Sequence, residues 1–204
     1  MSTKDIMKIS IQNVREVINN SILLLRDVDN MLSREGLTPL FGNTLGTETS
    51  KNIGQSMDQN NYTTFFPQFM CRVYVDNIAL QQNRVEKVTI VNVQLYHANC
   101  PLLYPTVITG LFKLPRAFTA QEIKQEVNYW WLKYVAFEYC SYEELTFNGT
   151  LITKKPWIDE DDETEVVFWC HELHTFESQG DVEKKIVEQI REYKNFPTYT
   201  NEGC

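Results

Sequence analysis

Three strand-like segments follow one another in the middle of the chain, and they limit the possible fold more than any other feature. They span Phe65–Val75, Arg84–His97 and Tyr104–Leu114. All three are rich in β-branched and aromatic residues, which favour strands. The connections between them are short, so we expect consecutive segments to pair antiparallel as a meander.

The pattern of the second segment predicts that one face of the sheet is exposed to solvent there. Val91 and Val93 alternate there with Asn92 and Gln94. Successive side chains of a strand point to opposite faces, so the two amide side chains share one face of the sheet. We expect that face to contact water at this position.

Helical periodicity precedes and follows these segments. Residues from about Lys4 to Arg34 read as one long amphipathic helix, Thr119 and Glu122 form a capping box that begins a second, and a third spans roughly Asp181–Phe196. This order predicts an α+β fold, an antiparallel sheet of about four to six strands with the N-terminal, central and C-terminal helices packed against one face. The predicted buried stripe of the first helix has three-, four- and seven-residue spacings: Ile11, Val14, Ile18, Leu25, Val28 and Leu32.

Turn and loop signals complete the organisation. Asn148-Gly149 between β-prone residues predicts a hairpin turn. We expect one domain over residues 1–204, with a long loop at 35–64, an acidic connection at 158–165 and a loose tail at 197–204. The loop contains four glycines but lacks the lysine of a P-loop, so a surface loop or lid is favoured over a phosphate cradle.

Composition narrows the partners and the compartment. The net charge of −8 and the isoelectric point near 5.0 make nucleic acid an unlikely partner. No apolar run approaches the ~18 residues of a membrane span, and the start of the chain does not read as a signal peptide. Five widely spaced cysteines form neither a disulfide framework nor a zinc pattern. We therefore expect a cytoplasmic protein without a membrane association and without a cofactor.

The densest group of chemically active residues is "VVFWCHELHTF", Val166 to Phe176. Its histidines are three residues apart, whereas the zinc-protease pattern requires four on a helix. Read as a strand, the stretch places Cys170, Glu172 and His174 along one edge. These three are candidate metal ligands, and Glu172 and His174 are candidate catalytic residues. The alternative is a Glu172–His174 pair at the rim of the sheet without a catalytic task.

Five further residues are candidates for a binding surface. The acidic run between Trp157 and the last strand suits a basic partner, although a solvated charge run is the simpler interpretation. Tryptophan is favoured at protein interfaces, although it also fills cores. The candidates are Trp131, Trp157, Asp159, Asp161 and Asp162.

These observations favour a non-catalytic binding or adaptor protein that acts through protein–protein contacts in a larger assembly. The partner is expected to be a protein, either basic or a further copy of the chain. The sheet face, the 35–64 loop and the acidic run are the expected contact surface. Two alternatives stay open: a metal-dependent hydrolase or nuclease using Asp159, Asp161, Glu172 and His174, and a small-molecule sensor closed by the 35–64 loop.

Overall fold

A computed structural model describes residues 2–44, 46–47, 67–97, 100, 102–126, 145–154 and 165–194 of the chain. Within these ranges helices lie on both sides of one antiparallel sheet. In chain order the elements are α1 (Thr3–Arg34), β1 (Leu37–Pro39), β2 (Gly46–Thr47), β3 (Phe69–Asp76), α2 (Asn77–Gln81), β4 (Val85–Gln94), β5 (Thr106–Phe118), α3 (Ala120–Glu126), β6 (Ile152–Lys154), β7 (Glu165–Glu172) and a 3₁₀ turn (Leu173–Thr175).

The last helix consists of three consecutive pieces, which we name α4 together. Gln179–Val182 is α-helical, Glu183–Val187 is π-helical and Glu188–Tyr193 is α-helical again. Ser178 caps its start, because the Ser178 hydroxyl accepts from the Asp181 backbone N–H while the Asp181 carboxylate accepts from the Ser178 backbone N–H. The predicted C-terminal helix is therefore present and begins two residues earlier than expected.

The sheet has the order β1-β3-β4-β5-β7-β6, and β2 also pairs with β3. Every pairing between these strands is antiparallel, and β3, β4 and β5 form the predicted meander. The α+β class is thus confirmed. Three of the seven described strands, β1, β2 and β6, are only two or three residues long, and they raise the number above the four to six expected.

Each face of the sheet is covered by its own apolar cluster. On one face α1 and α4 contribute residues such as Leu25, Val28 and Ile186, which belong to the same buried cluster as Trp169 of β7. On the opposite face Ile123 of α3 lies among residues of all the long strands. The prediction that the helices share one face is therefore wrong for α3. Because both faces are covered, the sheet face that we expected to serve as a contact surface is occupied by the chain itself.

The predicted wet face at β4 is also wrong. Asn92 and Gln94 are 1% and 0% exposed, because the α3 side of the sheet is covered there. The Asn92 amide donates to Gln94 Oε1 at 2.9 Å, and the Gln94 amide donates to the Tyr96 carbonyl at 2.6 Å. A polar pattern on a strand indicates exposure only when no other element covers it, and here the amides pair with each other instead.

The Asn148-Gly149 dipeptide does not form a hairpin turn. Asn148 lies opposite His171 of β7, and β6 continues the same antiparallel pairing from Ile152 onward. Residues 148–154 therefore run alongside β7. Gly149 has a φ of +84°, so it is needed for an irregularity within this edge segment and not for a chain reversal.

The expected loop at 35–64 begins with regular structure. β1 follows Gly36, whose φ of +80° ends α1 as predicted, and it pairs with β3. β2 lies further along the same segment. The remainder of the loop, the 158–164 part of the acidic connection and the 197–204 tail lie outside the described residues.

Candidate functional site

The alternation predicted for the end of "VVFWCHELHTF" is correct as far as Glu172. Phe168 and Cys170 lie in the cluster on the α3 face, whereas Trp169 lies in the cluster beneath α1 and α4. The strand ends at Glu172, and His174 lies in the following 3₁₀ turn. The edge of alternating residues that the sequence indicated is therefore interrupted before its third member.

The candidate metal ligands are separated accordingly. Cys170 is fully buried in the core. Glu172 and His174 do come together, with 3.0 Å between Glu172 Oε2 and His174 Nδ1, and the His174 side chain is 75% exposed. Among the described residues no three His, Cys, Asp or Glu side chains are grouped so that they could hold a metal ion. Glu172 and His174 therefore form a pair at the rim of the sheet, and Cys170 is not part of it.

Side chains on the other face of β7 contact α4 and hold it against the sheet. The Trp169 indole donates to the Lys185 carbonyl at 3.0 Å, and the Trp169 and Tyr193 rings pack edge to face. Lys185 belongs to the π-helical piece, where the wider turn disturbs the ordinary i to i−4 bonding of a helix. The indole therefore contacts α4 at the point where the helix is irregular.

His171 continues this contact at the end of the strand. Its Nε2 lies 3.0 Å from Gln189 Oε1, and the Gln189 amide donates to the Gly149 carbonyl at 3.1 Å. Burial lowers the pKa of His171, and the positive charge of Lys185 adds to this, while the bond to Gln189 opposes it. His171 is accordingly a structural residue that links β7, α4 and the Gly149 segment.

The remaining sequence candidates cannot be placed. Trp131, Trp157, Asp159, Asp161 and Asp162 all lie outside the described residues. They stay predictions.

The feature that sequence reasoning missed is the exposed half of α1. Every residue from 2 to 17 is exposed, and the first buried residue of the helix is Ser21. At 1.5 Å per residue the 18 residues before Ser21 extend for about 27 Å. We define the apolar face of this half by five exposed side chains: Ile6 (53%), Met7 (63%), Ile11 (57%), Val14 (40%) and Val17 (40%).

This apolar face is a continuation of the buried one. Leu25, Val28 and Leu32 are 0–1% exposed and pack on the sheet. Ile11 and Val14 belong to the same three- and four-residue repeat and lie on the same side of the helix. The predicted buried stripe is therefore correct in its C-terminal half, whereas Ile11 and Val14 are exposed. The signal available in the sequence was length, since a 32-residue helix far exceeds what an eight-residue strand such as β3 can cover.

Basic side chains line one edge of the apolar face. Lys4, Lys8 and Arg15 fall within a narrow sector of the helix at 100° per residue, whereas Asp5 and Glu16 lie on the polar back, together with the exposed Ile9 (40%). Asp5 is engaged in the N-terminal cap. Glu16 accepts from the Gln12 amide at 2.9 Å. Within the described ranges the three basic side chains form no ion pair.

Comparison with protein-family models, with curated proteins and with solved structures found no significant match to this chain. Among the helices that the structure describes, none is both long and apolar enough to cross a membrane.

Proposed function

We propose that this chain is a non-catalytic binding protein that acts through protein–protein contacts, and that the apolar face of α1 is a principal contact surface. The observation that carries the proposal is the row of five apolar side chains, each 40–63% exposed, in register with the buried stripe of the same helix. Contiguous exposed apolar surface on a folded protein commonly marks an interaction site.

The composition of the exposed half supports the same conclusion. Helices shorter than about 12–15 residues are marginal in water, and most helical stability in proteins comes from packing of the apolar face. Residues 3–20 contain many β-branched residues and asparagines, which are weak helix formers. A helix of this kind projecting from its domain gains stability when a partner covers its apolar face.

The two alternative functions, a metal-dependent hydrolase and a small-molecule sensor, have less support from the described residues. The metal-dependent hydrolase requires Glu172 and His174 together with Asp159 and Asp161, and only the first two lie in the described part of the chain, where Glu172 is half-buried and His174 is exposed. The small-molecule sensor depends on the 35–64 loop, most of which lies outside the described residues. Neither alternative has a described group of residues that favours it over binding.

We retain the cytoplasmic compartment and the protein partner expected from the sequence; the basic partner was expected for the acidic run, most of which lies outside the described residues. A cytoplasmic location agrees with the pattern of cysteines. The net charge of −8 argues against nucleic acid, so the expected partner is a protein.

Co-purification tests this proposal. The tagged chain is recovered from the cells that naturally produce it, and co-purifying proteins are quantified for the wild type, for Ile11→Asp/Val14→Asp and for Gln12→Ala, whose side chain is on the polar back. We expect a partner that is retained by the wild type and by Gln12→Ala and lost by the double variant. A partner retained equally by all three chains would show that the contact surface lies elsewhere.

A further inference from the structure

The pattern of the apolar face specifies the shape of its partner, provided that the proposed function holds. Met7, Ile11 and Val14 of the apolar face and the half-buried Ile18, which packs against the core cluster beneath α1 and α4, are spaced by four, three and four residues. This is the a and d spacing of a heptad repeat, with Ile11 and Ile18 at a and Met7 and Val14 at d. A seam with this spacing fits the side chains of another helix laid along it.

The flanks of that seam specify the charge of the partner. With Ile11 at a, the e positions are Lys8 and Arg15, and the g positions are Ser10 and Val17. Side chains at e and g lie beside the seam and select the partner through their charges. The e flank is basic and forms no ion pair within the described ranges, so it is complementary to carboxylates.

A second copy of this helix does not supply those carboxylates. In an antiparallel pair the e positions face each other, which would place Lys8 and Arg15 beside the same basic residues of the copy. In a parallel pair e faces g, and the g positions Ser10 and Val17 carry no charge. Neither arrangement neutralises the basic flank, and the antiparallel one adds like-charge repulsion.

We propose that the partner presents an amphipathic helix with an apolar seam and acidic side chains along its flanks. An anionic membrane surface is less complementary. Residues 1–20 carry three basic and two acidic residues, a net charge of +1, whereas the remaining residues carry 16 basic and 25 acidic residues, a net charge of −9. An extended anionic surface would also face this acidic remainder, whereas a single partner helix contacts only the basic flank of α1.

Two synthetic peptides of about three heptads provide the test. Both have leucine at a and d; one has glutamate at e and g and the other has lysine. Binding of each labelled peptide to the full chain is measured by fluorescence anisotropy for the wild type, for Lys8→Glu/Arg15→Glu and for the back-face control Glu16→Gln. We expect the wild type and Glu16→Gln to prefer the acidic peptide by about tenfold, and the double variant to reverse that preference.

Several results would overturn the inference. These are equal binding of both peptides, no binding of either, a preference unchanged by Lys8→Glu/Arg15→Glu, dimerisation of the chain through this helix in sedimentation equilibrium, or capture by anionic vesicles that depends on Ile11 and Val14. The proposed function fails separately, when Ile11→Asp/Val14→Asp leaves the cellular partner bound. If that double variant loses the partner while the charge reversal has no effect, the binding function stands and the acidic helix is wrong.

Discussion

Asp29 of α1 and Arg72 of β3 form a bidentate ion pair across the interface between the helix and the sheet. Arg72 Nε donates to Asp29 Oδ1 at 3.0 Å, and Nη2 donates to Oδ2 at 2.6 Å. Asp29 Oδ1 also accepts from the Tyr74 hydroxyl at 2.7 Å. Burial alone would lower the pKa of Arg72, but its hydrogen bond and attraction to Asp29 outweigh burial and raise it. The pair fixes the C-terminal half of α1 to the sheet and leaves the exposed half projecting.

Removing the carboxylate at Asp29 is expected to destabilise the fold. Arg72 is 4% exposed, so Asp29→Ala leaves a buried guanidinium without its counter-ion, although Arg72 still donates to the carbonyls of Gly42 and Thr44. We expect the free energy of unfolding in urea to fall by about 2–3 kcal/mol. Asp27→Ala is the matched control, because Asp27 makes an exposed hydrogen bond to Gln179. Equal losses in the two variants would contradict the anchoring role.

His171 predicts a pH dependence of stability. The unfolded chain protonates this residue near its ordinary pKa of 6.5, whereas burial keeps the folded pKa lower. The unfolded state therefore binds more protons below pH 6.5, and stability falls as the pH decreases from that point, by at most about 1.4 kcal/mol per pH unit. Urea unfolding between pH 7.5 and about 5 measures this, above the range where carboxylates titrate.

Two variants isolate the contribution of His171. His171→Gln is expected to flatten the decrease between pH 6.5 and 5. His174→Gln, at the exposed histidine of the same stretch, is expected to leave it unchanged. If His171→Gln keeps the full pH dependence, another group causes it.

Gly149 is expected to tolerate no side chain. A Cβ there would lie 2.5 and 2.6 Å from ring atoms of His171 and 2.7 Å from the Gln189 amide, in addition to the strain of a positive φ. We expect Gly149→Ala to lower the thermal midpoint by more than Gly36→Ala, whose strain of about 1–2 kcal/mol comes without a contact within 4 Å. Equal shifts would mean that the Gly149 segment moves away from β7 without cost.

The Glu172–His174 pair is expected to contribute little. Exposed ion pairs contribute about 0–1 kcal/mol, and the charge on His174 requires protonation. Glu172→Ala and His174→Ala should each change the free energy of unfolding by less than about 1 kcal/mol, and equimolar Zn²⁺ should leave the thermal midpoint unchanged. A stabilisation by Zn²⁺ that His174→Ala abolishes would establish a metal site at this rim.

Sequence reasoning was most successful where local patterns and tertiary packing agree. Thr119 and Glu122 form the predicted capping box, with the Thr119 N–H bonded to Glu122 Oε2 at 2.7 Å and the Glu122 N–H to Thr119 Oγ1 at 3.1 Å. Gly36 ends α1 as its position indicated. Such signals depend on residues within one turn of each other, so the rest of the fold does not alter them.

The predictions of burial and exposure were wrong where they depend on whether another element covers the surface. Asn92 and Gln94 alternate like exposed residues and are buried, whereas Ile11 and Val14 repeat like buried residues and are exposed. Periodicity identifies which residues share a face, but it does not say whether another element lies against that face. The candidate contact surface became visible only when α1 was seen to extend past the sheet.

Hydrogen exchange along α1, in the isolated chain and in the complex recovered from cells, tests whether the exposed half of this helix is the contact surface. We expect amides of residues 5–17 to exchange rapidly in the isolated chain and more slowly in the complex. Amides around Leu25 to Leu32, which pack on the sheet in both states, should exchange slowly throughout. A complex in which residues 5–17 exchange as fast as they do in the isolated chain would contradict the assignment of this half of α1 as the contact surface.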